Sequence, residues 1–304
     1  MGLRGGATLR GLRRREELTA WLFVTPVVLG ILLFSVYPVL FSLFISLTDW
    51  NILTSPRWIG PQNYVELATT DRFFGTALAN SAVYAAGTVV PGLALALFFA
   101  ILLNQEIRGR FLYRAIYFVP VVAPTVSIAI LWTWIYEPTF GVLNYALKQV
   151  GIEGPPWINS SAWAMPSLII MTIWHGLGYS IVILLAGLQT ISREYYEAAN
   201  IDGANALHRF RHVTLPLLSP VTFFVLVLSV INALQAFTSA YVLTGGGPAN
   251  ATLTVVLYLY QQAFQFEAMG LASAVAYCLF VIIVALTALN FALQRLWVFY
   301  DEGR

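Results

Sequence analysis

The sequence predicts an all-α membrane protein of six transmembrane helices, on three observations: six long apolar stretches, a charge content far below that of a soluble chain, and a one-sided distribution of arginine. Of 304 residues, 59% are hydrophobic and 10% charged, whereas a soluble domain carries roughly a quarter charged residues. A span needs about 20 mostly apolar residues to cross the hydrocarbon, because lipid offers the backbone no hydrogen-bond partner. The qualifying stretches run from Leu18 to Leu47, Ala77 to Leu103, Ile116 to Tyr136, Trp163 to Leu188, Leu217 to Val242 and Leu271 to Leu293, and none contains Asp, Glu, Lys or Arg. The single cysteine, Cys278, lies in the last of them, so neither an intrachain disulfide nor a cysteine-built metal site is available.

The first stretch follows a basic N-terminal segment over 1–17 that holds Arg10, Arg13, Arg14 and Arg15. Its apolar run is longer than the roughly 7 to 15 residues of a signal-peptide core, so it reads as an uncleaved helix. Pro26 and Pro38 inside it predict a kink or local unwinding. Trp50, Trp58, Tyr136, Trp157 and Trp163 fall at the ends of stretches, where amphipathic rings anchor at the membrane interface. Between the third and fourth stretches, Leu143, Ala146, Leu147 and Val150 recur at helical spacing, which predicts a short helix along the outer interface, stopped by Gly154, Pro155 and Pro156. The six helices occupy 18–294, and a short tail follows over 295–304.

With the N-terminus in the cytoplasm, Arg4, Arg10, Arg13, Arg14, Arg15, Arg108, Arg110, Arg114, Arg193, Arg209, Arg211, Arg295 and Arg304 all fall on that side, against Arg57, Arg72 and Lys148 outside. Positive residues accumulate in cytoplasmic loops, so the bias predicts two cytoplasmic termini and an even number of crossings.

The loop between the fourth and fifth stretches is too patterned for a plain connector. Ser192 is suited to cap a helix, Glu194 to sit at its positive end, and Asp202-Gly203 to make a turn with positive φ. A second short helix is expected from about Asn205 to His212, with Pro216 and Pro220 in the first turns of the next span. Small residues (Ala198, Ala199, Ala204) keep the hairpin thin, while Tyr195, Tyr196 and Phe210 add aromatic anchors and Arg209 and Arg211 charge. That composition suits protein docking or a linker resting on the lipid surface.

The run Glu197-Ala198-Ala199-Asn200-Ile201-Asp202-Gly203-Ala204, then Phe210 and Leu215-Pro216-Leu217-Leu218-Ser219-Pro220, resembles the EAA signature of ABC importer permeases, in the carbohydrate branch that includes maltose-type and glycerol-phosphate-type systems. Val213 stands where isoleucine is common in that family. Further segments resemble the same branch across most of the chain: Trp58-Ile59-Gly60 with Asn63-Tyr64, Asn80, Pro120 with Pro124, and Leu243 to Pro248. The resemblance implies a type I ABC importer permease fold and a coupling site over 192–216 made of Tyr196, Glu197, Ala198, Ala199, Asp202, Gly203, Ala204, Phe210 and Pro216. It also implies a heteromeric complex in a bacterial or archaeal cytoplasmic membrane, with a second homologous permease, two ATPase subunits, an external solute-binding protein and a sugar substrate. Nucleic acid is not among the implied partners, and no cofactor or catalytic group is implied. In keeping with hydrolysis elsewhere, the chain lacks a G-x-x-x-x-G-K-[ST] phosphate loop; the glycines of Gly245-Gly246-Gly247 lead to Pro248 without the lysine.

A sugar pathway calls for hydroxyl and amide partners rather than costly buried charge. In the fifth stretch, Ser229, Asn232, Gln235 and Ser239 form one polar stripe at helical spacing. Tyr277 and Ser273 in the sixth, and Asn80, Tyr84 and Thr88 in the second, are further polar positions; such residues also bond helices to one another. His175 is open to a proton-relay role or a neutral packing role, and Trp132, Trp134 and Tyr136 to sugar stacking or interface anchoring. A secondary transporter of a neutral solute is the alternative function, but it usually needs intramembrane carboxylates or inverted repeats. A membrane enzyme would need clustered catalytic groups, and none is visible.

Overall fold

The computed structural model describes residues 9–105 and 109–299. The start of the basic N-terminal segment, Arg108 and the end of the predicted tail lie outside the described residues. The helices are α1 Leu9–Ile31, α2 Tyr37–Ser46, α3 Gln62–Thr69, α4 Arg72–Asn104, α5 Arg110–Val122, α6 Thr125–Ile135, α7 Val142–Gln149, α8 Ser161–Thr190, α9 Arg193–Ile201, α10 Ala206–Arg209, α11 Leu215–Leu234, α12 Thr238–Leu243, α13 Val255–Tyr260 and α14 Met269–Leu293. Two strands, β1 Thr48–Asp49 and β2 Arg57–Trp58, pair antiparallel as a minimal hairpin.

Among the described residues, five helical runs are long and apolar enough to cross a membrane: Glu16–Ser46, Arg72–Asn104, Ser161–Thr190, Ala206–Leu234 and Met269–Leu296. The sixth crossing is a broken pair, α5 and α6, bent by 101°. The sequence predicts one continuous span here, and its two prolines account for the break. Pro120 removes an amide donor, and Pro124 pushes Ala123 into extended backbone at ψ 140°. The turn is held from outside by His175, whose Nε2 lies 3.2 Å from the Ala123 carbonyl oxygen.

Two crossings carry π-turns immediately before a proline. Leu32–Val36 precedes Pro38, and Phe210–Thr214 precedes Pro216. A proline ring crowds the carbonyl four residues back. Widening the turn by one residue relieves that crowding, and Tyr37 and Leu215 accordingly donate to Leu32 and Phe210, five residues back. Pro26 leaves α1 uninterrupted.

Lipid removes most of the hydrophobic drive for helix pairing, so close approach of small residues has to supply it. A Cβ on Gly178 of α8 would sit 2.0 Å from the Tyr117 carbonyl oxygen of α5, and one on Gly270 of α14 would sit 2.0 Å from that of Thr48. Ala96 and Ala100 of α4 are fully buried in a second cluster with Leu184 of α8 and Leu218 of α11. The run Glu16–Ser46 is largely exposed along its length.

The end of the molecule away from the α9 hairpin is tied by long-range polar bonds. Asn63 Nδ2 donates to the carbonyls of Ser46 and Thr48, and Asn80 Nδ2 to those of Asn250 and Leu253. Here one expectation is corrected. Trp132, Tyr136 and Trp157 are buried rather than interfacial, in tilted contact with centroids 4.9 and 5.1 Å apart. Their polar tips explain it: the Tyr136 hydroxyl donates to the Ser167 carbonyl and Trp157 Nε1 to Asn144 Oδ1. The expected short helix forms as α7, with Leu143 and Leu147 packed against the core and Ala146 and Val150 exposed. Trp58 and Trp134 remain exposed.

Candidate functional site: a capped hairpin joined by one helix to a cavity

Residues 192–214 make a hairpin whose every end is satisfied locally. Ser192 caps α9, its Oγ accepting from the Glu194 amide at 3.3 Å. At the other end Gly203 takes φ +78°, and two bonds close the turn: Ala204 N–H to the Ala199 carbonyl at 2.9 Å and Gly203 N–H to that of Asn200 at 3.0 Å. This is a Schellman closure, which needs a left-handed residue where glycine sits. Asn205 then caps the next helix through the His208 amide at 2.9 Å. Cross-links brace the hairpin: Arg209 Nη1 donates to Asn200 Oδ1 at 2.5 Å, and the Tyr196 and Thr214 hydroxyls lie 3.1 Å apart.

The second helix of the hairpin does not end near His212 as predicted. It continues through the Phe210–Thr214 π-turn into α11, giving one uninterrupted helix, Ala206–Leu234. The π-turn accommodates Pro216 without stopping the chain, and sequence alone offered no way to see that. Glu197 and Ala198 are exposed, Ala199, Ala204, Phe210 and Pro216 half-buried, and Asp202 caps the C-terminal end of α9. Beside them Ile201 is 87% and Leu207 72% exposed.

At its far end the same helix lines a cavity of about 520 Å³ between α4, α6, α8, α11 and α12. All four residues of the fifth-span stripe, Ser229, Asn232, Gln235 and Ser239, line it. They do not lie on one helix as predicted, because the helix stops at Gln235 and restarts at Thr238. The break turns Gln235 and Phe237 to the cavity, and Thr254 Oγ1 holds the freed Ala236 carbonyl at 3.1 Å. Among the described residues the side chains of Asn232 and Gln235 have no intramolecular hydrogen-bond partner. Among the described residues, no Asp, Glu, Lys or Arg lines the cavity.

Tyr84 and Thr88, two of the further polar positions, line the cavity as well, and the Tyr84 hydroxyl donates to Thr172 Oγ1 at 2.9 Å. Sequence reasoning missed Thr172 and Ser180 of α8. Their signal was present, since Thr172, His175, Gly176, Tyr179 and Ser180 recur every three or four residues along one face. His175 both faces the cavity and holds the Ala123 carbonyl. Tyr277 lies outside the lining and donates its hydroxyl to the Val39 carbonyl, joining α14 to α2.

Comparison with known proteins follows the same outline. Residues 92–298 match the family model described as binding-protein-dependent transport system inner membrane component. A probable ABC transporter permease protein of Bacillus subtilis, YesP, is 38% identical over 95% of this chain and 94% of its own length. The trehalose/maltose transport system permease protein MalF of Thermococcus litoralis is 32% identical over 93% of this chain and 96% of its own. In shape, the chain superposes with TM-score 0.81 on a chain of a bacterial alginate ABC transporter solved with an alginate pentasaccharide-bound periplasmic protein, at 21% identity over 95% of this chain and 98% of that one. The chain therefore belongs to the binding-protein-dependent inner membrane component family and is a multi-pass permease subunit of an ABC importer.

Proposed function

We propose that this permease carries a neutral sugar or oligosaccharide inward through the cavity between α4, α8 and α11, driven by ATPase subunits that dock on the 192–216 hairpin. The reading pairs it with a second homologous permease, two ATPase subunits and an external solute-binding protein in a bacterial or archaeal cytoplasmic membrane, with both termini cytoplasmic. Hydrolysis takes place on the ATPase partners.

One observation carries the reading: a single helix, Ala206–Leu234, has the exposed hairpin at one end and Asn232 at the other. Its 29 residues span roughly 43 Å at 1.5 Å per residue. A rigid rod of that length turns a displacement at the hairpin into a displacement of the cavity wall, and ATP then biases which of two states the wall occupies. The exposed Ile201 and Leu207 offer the apolar contact for docking, and Glu197 the charge beside them.

A neutral sugar fits the lining better than a phosphorylated solute, since among the described residues no Lys or Arg lines it to pair a phosphate. Unpartnered Asn232 and Gln235 amides supply donors and acceptors for hydroxyls. The trehalose and maltose that the similar permease MalF serves support a sugar as the substrate.

The test is affinity purification of the tagged chain from native membranes, repeated with Glu197→Arg. Co-purification of an ATPase, a second permease and a solute-binding protein is expected, with the ATPase selectively lost in the variant. Recovery of the chain alone from mild detergent overturns the reading.

A further inference from the structure

Four aromatic rings form a connected row that starts in the cavity and ends on the surface. Phe237, in the break between α11 and α12, lines the cavity. Tyr241 stacks on it, with centroids 5.2 Å apart and planes 16° apart. Tyr260, the last residue of α13, lies 5.0 Å from Phe237 and 5.3 Å from Tyr241. Phe264 continues the row 5.3 Å beyond Tyr260. Exposure rises along it: Phe237 and Tyr260 are half-buried, Tyr241 is 42% and Phe264 66% exposed.

The buried cluster of Trp132, Tyr136 and Trp157 has the same ring spacing, yet it is sealed in the core with two of its polar tips bonded inward. Phe237 and Tyr260 also pack against the core, but Tyr241 and Phe264 lie outside it and are exposed, so core packing does not account for the outer half of the row. Polar groups accompany the row: Gln235 sits beside Phe237 in the cavity, and exposed Gln265 follows Phe264 in the Gln261–Gln265 π-turn. Alternating ring faces and amides suit a hexose, whose C–H face lies on an aromatic ring while its hydroxyls bond to amides at the rim.

We infer that Phe237, Tyr241, Tyr260 and Phe264 form a stacking track that receives sugar rings at the end of the molecule away from the hairpin and passes them to Asn232 and Gln235. The inference rests on the sugar reading of the cavity. It adds a separate loading step, with residues that the cavity argument does not use.

The measurement is uptake of radiolabelled maltose and trehalose by cells carrying the complete transporter, with Tyr241→Ala, Phe264→Ala and Phe264→Trp variants. Loss of one stacked ring is expected to raise KM about tenfold, the larger share of the loss falling in KM rather than in maximal rate. Phe264→Trp keeps an aromatic face and restores the KM. An unchanged KM in both alanine variants overturns the track. So does loss of the second permease from the purified Phe264→Ala complex, which assigns the row to subunit packing. Asn232→Ala separates the two claims: if it abolishes uptake while both alanine variants of the row leave KM unchanged, the cavity reading stands and the track alone fails. Absence of uptake of either disaccharide by the wild type counts against the sugar reading and takes the track with it.

Discussion

The hairpin and the cavity are the two ends of one helix, and they are built in opposite ways. The bonds that cap and close the hairpin join residues within 192–214: Ser192 to Glu194, Ala204 to Ala199, Asn205 to His208, Arg209 to Asn200. The cavity draws its walls from Tyr84 to Ser239 and depends on partners far away in sequence, such as His175 on the Ala123 carbonyl and Thr254 on that of Ala236. A local structure can dock and release without disturbing the fold. A wall assembled at long range moves only when whole helices move, which is what a pathway coupled to an external engine requires.

The largest effect is expected where the long-range end is tightest. A Cβ at Gly178 would lie 2.0 Å from the Tyr117 carbonyl oxygen and 2.8 Å from its carbon, both backbone atoms that cannot step aside. Gly178→Ala should therefore separate α5 from α8 at a cost of about 1–3 kcal/mol, lowering the thermal midpoint of the purified complex and abolishing transport. The hairpin should be untouched, so ATPase co-purification in the cold should persist. If docking is lost together with transport, the two ends are not independent and the comparison fails.

Gly203→Val tests the local end. At φ +78° with nothing within 4 Å of a Cβ, the cost is backbone strain alone, about 1–2 kcal/mol for a side chain in the left-handed region. Sugar moved per ATP hydrolysed should fall several-fold with the thermal midpoint nearly unchanged. Gly203→Asn, which tolerates that conformation, should retain most of the coupling. Wild-type coupling in the valine variant would remove Gly203 from the mechanism.

The same division explains what the sequence made legible. Caps, the Asp202-Gly203 turn and the run of apolar residues are local signals, and the hairpin and five of the crossings follow them. The break after Gln235 has no proline or glycine to announce it, because the freed Ala236 carbonyl is satisfied from 18 residues away. Pro120 and Pro124 were visible, but the 101° bend depends also on His175, 52 residues from Ala123. Tyr136 and Trp157 look like interface anchors until Ser167 and Asn144 are seen to receive their polar tips. Where the deciding partner is distant, pattern alone returns the commoner local answer.

A smaller effect is expected from Asn232→Ala with Gln235→Ala. Neither side chain bonds within the described chain, so no intramolecular bond is lost on truncation. Two hydrogen bonds to substrate at about 1 kcal/mol each predict an uptake loss of roughly ten- to thirtyfold with an unchanged thermal midpoint. A lowered midpoint would instead make these amides glue to a neighbouring subunit.

The smallest effect probes a region where local and long-range construction meet. The Glu137 carboxylate accepts from the Thr139 hydroxyl at 2.6 Å and from the Phe140 and Thr139 amides at 2.9 and 2.6 Å. These bonds, the Thr139 hydroxyl foremost, hold its carboxyl below the usual carboxylate range. A folded value below the unfolded one means the contribution is complete above an unfolded pKa of about 4.3 and fades as pH falls through the folded value. Amide hydrogen exchange at Thr139 and Phe140 should thus lose protection below about pH 4.3, and Glu137→Gln should remove the pH dependence. The same turn is tied to a more distant segment, because Asn144 Nδ2 donates to the Pro138 carbonyl while its Oδ1 accepts from Trp157 Nε1. If acid also quenches or shifts the Trp157 emission, the local turn and the buried aromatic cluster respond as one unit. If only the two amides respond, the division between self-contained turns and assembled walls extends to this face of the molecule as well.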